Sequence, residues 1–276
     1  MAPTLVTEHA SPRLVVVERL DLPGAQGAQL GMVRLNEPDR LNPLSWTTFH
    51  QLHAARAELD ADDAVRVVAV TGTGRAFSAG GDLRAYLELQ RDAVRLPRYY
   101  EDVAATLEKP ASMRKPVVAL VNGVAVGGGL ELALACDFAI AASSARLGDG
   151  HARYGQMGGG GALSLLPRVI GLPRARELVF SGRLLGAAEA LEWGLVNRVV
   201  EDDQLMAAAI DFGVEVAGHS PLALAEVKRV MTQNARDADA AQLERETVMR
   251  YQLTSSDVLE GLQAFAEKRR PNFTGR

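Results

Sequence analysis

Three side chains in this sequence are suited to proton chemistry by type and spacing. Glu131 lies within the most hydrophobic region of the chain, Pro116 to Ala142, where a carboxylate requires a partner or a task. His151 is one of only five histidines and sits in GDGHARYGQMGGGG, residues 148–161, two positions after Asp149 and ahead of four consecutive glycines. Carboxylates and imidazoles are the groups that most often carry protons near neutral pH. In an extended segment Asp149 and His151 fall on one side, which lets the carboxylate orient or charge the ring. Tyr154 follows closely as a further donor, although packing is the preferred reading for it.

Two glycine loops complete the chemistry-bearing set. FSAGGDL (77–83) and VAVGGGLEL (124–132) each follow a buried-type strand, and the second enters a helix opening near Gly129 or Leu130. The N–H groups near Gly128 therefore emerge at the positive end of a helix dipole. Two such loops from adjacent strands can aim two backbone donors at one oxygen. Such an oxyanion hole contributes about 3 kcal/mol per donor in a transition state. The alternative is that these glycines only permit close strand–helix packing.

Other chemistries find little support. GxxxxGK[ST], GxSxG and HExxH are absent, and GTGRAF (72–77) has Phe77 where a dinucleotide loop needs its third glycine. His50 and His53 have helical spacing but no carboxylate or cysteine pattern beside them in sequence, so they read as a solvated face rather than a metal pair. The lone cysteine, Cys136, lies in an apolar run and reads as a small buried hydrophobe; with no disulfide available, a reducing, cytoplasmic compartment is expected. A net charge of -4 offers no basic footprint for nucleic acid or an anionic membrane surface. The first ten residues lack the charged and apolar regions of a signal peptide, and Asn122, Glu131 and Asp137 interrupt the one strongly apolar region, which marks a protein core rather than a membrane span.

The elements that must hold these residues are legible in outline. Strands are expected at 13–20 and 29–35 as a hairpin, at 65–72, at 117–123, at 138–142 and at 195–200, and Ser45 is placed to cap a helix over Trp46–Leu59. GTGRAFSAGGDLR reads as loop. Strand, glycine loop and helix recur, which indicates α/β architecture. Helical pattern dominates from Asp202 to Lys268, giving a soft boundary near residue 200 between a core of residues 1–200 and a helical region of residues 201–276.

Taken in order, LNEPDRLNPLS (35–45), AFSAGGDL (76–83), KPVVALVNGVAVGGGLELALACDFAIA (115–141), GLPRARELVFSGR (171–183), GLVNRVV (194–200) and AFAEKRRPNF (264–273) resemble the crotonase (enoyl-CoA hydratase/isomerase) superfamily, over about Leu14 to Phe273. The resemblance implies an α/β spiral of ββα repeats with a C-terminal helical trimerisation region, and trimers that commonly pair into hexamers. It implies an acyl-CoA thioester substrate whose carbonyl oxygen is held, as it becomes an enolate, by the amides of Gly81 and Gly128. Arg40 and Leu41 would lie near the coenzyme A phosphates and adenine, with Ala79, Asp82 and Leu83 along the same path and Phe265 and Lys268 completing it. Coenzyme A arrives on the substrate, so no metal, flavin or nicotinamide is implied. Glu131 matches the first of two glutamates that share acid–base work in the family's hydratases; in the first helical turn, the dipole favours its ionised form.

One position departs from the pattern. The second glutamate is expected twenty residues after Glu131, where this chain has His151, and Gly158 stands where a proline is usual. His151 can replace the missing acid, bind a polar substituent of an unusual acyl group, or be a hydrogen-bonded pocket residue without a proton-transfer role. The expected activity is a lyase, reversible hydration of a 2-enoyl-CoA, with Glu131 activating water and His151 serving the α-carbon. The alternatives are a hydrolase, C–C cleaving enzyme or isomerase using His151 and Asp149, and a catalytically weak acyl-CoA binder.

Overall fold

The computed structural model describes residues 13–235, 246, 248–269 and 271. The hairpin forms as β1 (Val15–Asp21) and β2 (Gln29–Leu35), antiparallel from Val15 opposite Leu35 to Asp21 opposite Gln29. Ser45 caps α1 (Trp46–Ala61): its hydroxyl accepts from Thr48 N at 3.1 Å while Thr48 Oγ1 accepts from Ser45 N at 3.3 Å. That reciprocal pair satisfies two amide donors at the helix start.

The chain then winds through strand–strand–helix turns. β3 (Val65–Gly72), β4 (Ala76–Ser78), α2 (Leu83–Leu89) and α3 (Arg95–Ser112) make one turn. β5 (Val117–Val121), β6 (Val124–Val126) and α4 (Gly128–Ala135) make the next. β7 (Phe138–Ala142) and β8 (Arg146–Gly148) lead into a short 3-10 turn at His151–Tyr154, then α5 (Ala162–Ile170) and α6 (Leu172–Ser181). β9 (Leu185–Gly186), α7 (Ala187–Glu192) and β10 (Arg198–Val200) close the spiral. β3, β5 and β7 join β1, β2 and β10 in a six-stranded sheet, order β1-β2-β3-β5-β7-β10, and β4, β6 and β8 join β9 in a four-stranded sheet, order β4-β6-β8-β9. The second sheet differs from the sequence expectation, which reads GTGRAFSAGGDLR as loop and 117–123 as one strand. These strands are only two or three residues long and lie among glycines, so periodicity does not register them.

Alternating residues of the large sheet bury opposite faces. Leu30 and Met32 pack with Val67, Ala69, Val118 and Ile140 beneath α8 (Leu205–Ala217), whereas Val33, Leu35, Val68 and Val70 pack against Phe49, Leu52 and Leu59 of α1. Because both faces are covered, the parallel strands read as continuous apolar runs. Among the described residues no helix is long and apolar enough to cross a membrane.

Beyond residue 200, α8 is followed by α9 (Pro221–Ala235) and α10 (Ser256–Ala266); residues 236–245 and 247, within the expected helical run, lie outside the described residues. α10 packs on α2 and on the 3-10 turn that carries His151. The approach is close: a Cβ on Gly261 would lie 1.8 Å from Tyr154 O and 2.4 Å from its carbonyl carbon. Gln156 Nε2 donates to Val258 O at 3.1 Å and Tyr251 Oη donates to Gly155 O at 3.0 Å. Gly261→Ala is therefore expected to force α10 off the turn, lowering stability by about 1–3 kcal/mol. Thermal unfolding should fall by several degrees, about 2–4 °C per kcal/mol at this chain size. An unchanged transition would show that the helix does not clamp the turn.

Candidate active site

The parallel strands β4, β6 and β8 end side by side, and each delivers one loop to the same place. Ligands in α/β sheets gather at such carboxyl ends. Leu44 forms a bridge to the first loop through the residues flanking Gly81: Leu44 N donates to Gly80 O at 2.8 Å and Asp82 N donates to Leu44 O at 3.3 Å. The Gly81 amide is thereby turned away from Leu44. Gly80, at φ +94, lies so near the second loop that a Cβ there would sit 2.7 Å from Val126 O and 3.3 Å from Gly128 N. A Cβ on Gly128 would in turn lie 3.5 Å from Gly81 N. The structure thus brings the Gly81 and Gly128 amides together, and neither donates to a protein acceptor among the described residues. Gly128 opens α4 directly, one or two residues earlier than the sequence reading, so its N–H is one of the donors a helix leaves unused.

Glu131, in the first turn of α4, is 3% exposed. Its Oε1 accepts from Gly160 N at 2.8 Å and Ala162 N at 3.3 Å, which fixes the carboxylate and points Oε2 toward His151 Nε2, 4.0 Å away. Burial raises the Glu131 pKa, and the nearby Asp149 adds to this, against His151 and the two amides, which lower it. The net direction corrects the expectation that the helix dipole would favour ionisation. Here desolvation is the largest influence on the carboxyl.

Asp149 and His151 are not in an extended segment, as the sequence reading has them, but in a turn leading into the 3-10 helix. Asp149 Oδ1 accepts from His151 N at 2.9 Å and from His151 Nδ1 at 2.7 Å. Burial acts to raise the Asp149 pKa, but the contacts with His151 outweigh it and the net shift is downward. An ionised Asp149 can only accept, so the Nδ1 proton is fixed on its side and Nε2 is the position that exchanges a proton. Asp149 Oδ2 is buried without a hydrogen-bond partner among the described residues.

The glycine run now has a physical task. A Cβ on Gly158 would lie 2.8 Å from Glu131 Oε1 and 3.3 Å from the His151 ring, and one on Gly160 would lie 2.8 Å from Glu131 Oε2. A Cβ on Gly127, at φ +57, would touch the imidazole, 3.4 Å from Nε2. Side chains at Gly158 and Gly160 would displace the carboxylate. Sequence reasoning missed Gly158 and Gly160 as packing partners of Glu131. The signal available was the run of four glycines itself, but nothing local tells residue 131 that it meets residue 160.

The residues assigned to coenzyme A fall into two groups. Arg40 donates to Glu37 Oε1 at 2.8 Å and to Asp82 Oδ2 at 2.7 Å, and Ala79 N donates to Leu41 O at 2.8 Å. Asp82 also caps α2, which starts at Leu83. Arg40, Leu41, Ala79, Asp82 and Leu83 are thereby joined beside Gly81. Phe265 packs edge-on against Tyr154, ring centroids 5.4 Å apart, and Lys268 is exposed at φ 55; among the described residues neither is hydrogen-bonded to the first group. His50 Nε2 lies 3.5 Å from Asp102 Oδ2, a carboxylate that sequence proximity does not reveal, and both His50 and His53 are exposed. Among the described residues no three His, Cys, Asp or Glu side chains are arranged to hold a metal ion. Cys136 is buried, its thiol pushed up to about 12 by burial.

Residues 25–276 match the family model described as enoyl-CoA hydratase/isomerase. The chain is 34% identical over 250 residues to "Probable enoyl-CoA hydratase echA8" of Mycobacterium bovis, covering 90% of this chain and 95% of that protein. It is 36% identical over 251 residues to a carnitinyl-CoA dehydratase of Salmonella typhi, covering 88% and 94%. Among solved structures, an enoyl-CoA hydratase from Bacillus anthracis superposes with TM-score 0.75 at 33% identity, covering 95% of this chain and all of that one, 100%. An enoyl-CoA hydratase/isomerase from Xanthobacter autotrophicus gives TM-score 0.83 at 28% identity, covering 92% and 93%.

Proposed function

The chain belongs to the enoyl-CoA hydratase/isomerase family, and from that premise we propose that it is a lyase adding water reversibly across the double bond of a 2-enoyl-CoA. The observation that carries this reading is the convergence of two unengaged amides, Gly81 and Gly128, with a carboxylate and an imidazole 4.0 Å apart. The amides hold the thioester oxygen, lowering the energy of the enolate formed when water attacks the β-carbon. Glu131, as carboxylate, takes a proton from that water while its oxygen bonds to the β-carbon. His151, as imidazolium, gives its Nε2 proton to the α-carbon. The products are a 3-hydroxyacyl-CoA, a protonated Glu131 and a neutral His151, and a proton returned from Glu131 to His151 through solvent restores the starting state. Asp149 is a positioning residue in this scheme, holding the ring by Nδ1.

Arg40, Leu41, Ala79, Asp82 and Leu83 carry the coenzyme A path, with Phe265 and Lys268 contributing from the C-terminal end; no separate cofactor takes part. Arg40→Ala is expected to raise KM about tenfold through loss of a phosphate contact, with kcat near wild type. A lowered kcat at unchanged KM would remove Arg40 from the binding path. Residues 1–200 form the thioester-binding core and residues 201–276 the assembly region of a homotrimer, or a hexamer of paired trimers, in the cytoplasm. Exposed Leu222, Val227, Val230 and Met231 on α9 support assembly, and a sedimentation mass of three or six chains tests it.

Incubation with 2-butenoyl-CoA tests the activity: the enoyl thioester absorbance should fall as 3-hydroxybutanoyl-CoA forms. A chain that binds the thioester tightly but leaves it unchanged would be a binder instead. The 2.7 Å contact between His151 Nδ1 and Asp149 favours one second reading, in which that pair activates water against the thioester carbonyl and the enzyme is a hydrolase.

A further inference from the structure

Next to the paired amides lies a cavity of about 140 Å³ whose walls are mainly Leu44, Trp46, Ala85, Tyr86, Leu89 and Tyr99. It is joined to the site by its own lining. Leu44 reaches Gly128, with its Cδ1 3.4 Å from where a Cβ on that glycine would stand. Asp82, the residue after Gly81, lines the cavity with Glu88 and Arg95. Tyr99 borders the cavity and is near enough to Glu131 and Asp82 for their charges to add to the burial that raises its pKa.

The shape and polarity of the walls select the occupant. Tyr99 is packed edge-on or tilted against Trp46 at 5.9 Å, Phe49 at 6.1 Å, Tyr86 at 5.7 Å and Tyr100 at 5.7 Å, measured between ring centroids. The polar tips of three of these rings are already committed elsewhere: Trp46 Nε1 donates to Asp102 Oδ2 at 2.6 Å, and the Tyr86 and Tyr100 hydroxyls bond to one another. Arg95 lies over the Trp46 ring at 5.6 Å, and the ring surface of Tyr86 and Tyr99 offers the edge-on or offset contact that favours another aromatic ring. The volume is that of a benzene-sized ligand, which a cavity of about 150 Å³ accepts, while Ser45, Asp82, Glu88 and Arg95 make part of this lining polar. A long saturated chain would outgrow the space and lose rotational freedom on entry, whereas a ring conjugated to the reacting double bond is already planar and rigid.

We infer that the acyl groups this site selects are 3-arylpropenoyl groups, an aryl ring conjugated to the double bond that is hydrated, with the ring seated between Trp46, Tyr86 and Tyr99. The inference rests on the hydratase reading above and deepens it to a substrate class. Atoms balance as in that reaction: hydroxyl to the ring-bearing β-carbon, hydrogen to the α-carbon.

The test has a kinetic and a binding arm. Wild-type enzyme should show kcat/KM at least tenfold higher for 3-phenylpropenoyl-CoA than for 2-butenoyl-CoA or 2-octenoyl-CoA. The unreactive thioester 3-phenylpropanoyl-CoA should bind at least tenfold more tightly than butanoyl-CoA by calorimetry. Ala85→Trp, at an exposed position on the cavity wall, should fill the space and bring that binding ratio close to one; Leu89→Phe does the same from the buried side should the first variant fail to fold. Hydration of 2-butenoyl-CoA with no aryl preference overturns the inference and leaves the hydratase reading standing. Hydration of none of the three overturns the hydratase reading, and the binding ratio then decides the cavity by itself. A ratio near one in wild type, or one unchanged by a folded filling variant, overturns it outright.

Discussion

Glu131→Gln is expected to lower kcat on a 2-enoyl-CoA by about 100-fold or more, the range for losing a general base, with thioester binding retained. The glutamine carbonyl can still accept from Gly160 N and Ala162 N, the two amides that hold Oε1 of the wild-type side chain, so shape is conserved and basicity alone is removed. Stability supplies the control. Burial raises the Glu131 pKa, so the folded protein holds that proton more tightly than the unfolded chain does. Between the ordinary carboxylate pKa and the raised folded value, stability therefore falls as pH rises. Glutamine carries no charge, so the variant should lose that pH dependence and unfold at or above the wild-type temperature near neutrality. A low kcat with intact unfolding identifies chemistry; turnover within a few-fold of wild type would remove Glu131 from the reaction.

Asp149→Asn is expected to have a comparable effect without touching the reacting atoms. The carboxylate accepts from both the amide and Nδ1 of His151, and this is what leaves Nε2 to exchange the proton. Asparagine can offer an N–H to Nδ1 instead, moving the ring proton to Nε2 in the neutral form and blocking it as an acceptor. Loss of the correct tautomer costs about 100- to 10,000-fold in kcat in comparable carboxylate–imidazole pairs. KM should stay near wild type, a split that a merely structural role would not produce. His151→Ala should fall as far, and His151→Glu should restore part of the loss, because a carboxyl at this position can also exchange a proton. Equal inactivity of His151→Ala and His151→Glu would make the imidazole a recognition group.

Acid should act on stability through the same aspartate. Its folded pKa is lowered by His151 despite burial, so its contribution is fully present above the ordinary aspartate value and is lost as pH falls through the folded value.

How far the sequence carries this account varies from residue to residue. The glycine loops, Glu131 and His151 are legible because each is a local anomaly: four glycines where no core needs them, and a carboxylate inside an apolar run. The α/β repeat is legible because the strands of the large sheet are buried on both faces and so appear as apolar runs. The small sheet that gathers the site is not, since β4, β6 and β8 are three residues each and look like loop. The turn at Asp149 is equally hidden: an aspartate two residues before a histidine fits an extended segment as well as the side chain-to-backbone bond it makes. The direction of the Glu131 pKa shift depends on burial in the folded chain, and no local pattern encodes it. His50 shows the same blindness, having its carboxylate neighbour, Asp102, more than fifty positions away.

The central claim is that water adds to the β-carbon while the α-carbon takes a proton, with the thioester intact. Mass spectrometry of the product formed from 2-butenoyl-CoA in oxygen-18-labelled heavy water tests it most directly. The account predicts an intact 3-hydroxyacyl-CoA carrying the oxygen label at C3 and one deuterium at C2. Free coenzyme A with the oxygen label in a released carboxylate would contradict it and assign the His151–Asp149 pair to hydrolysis.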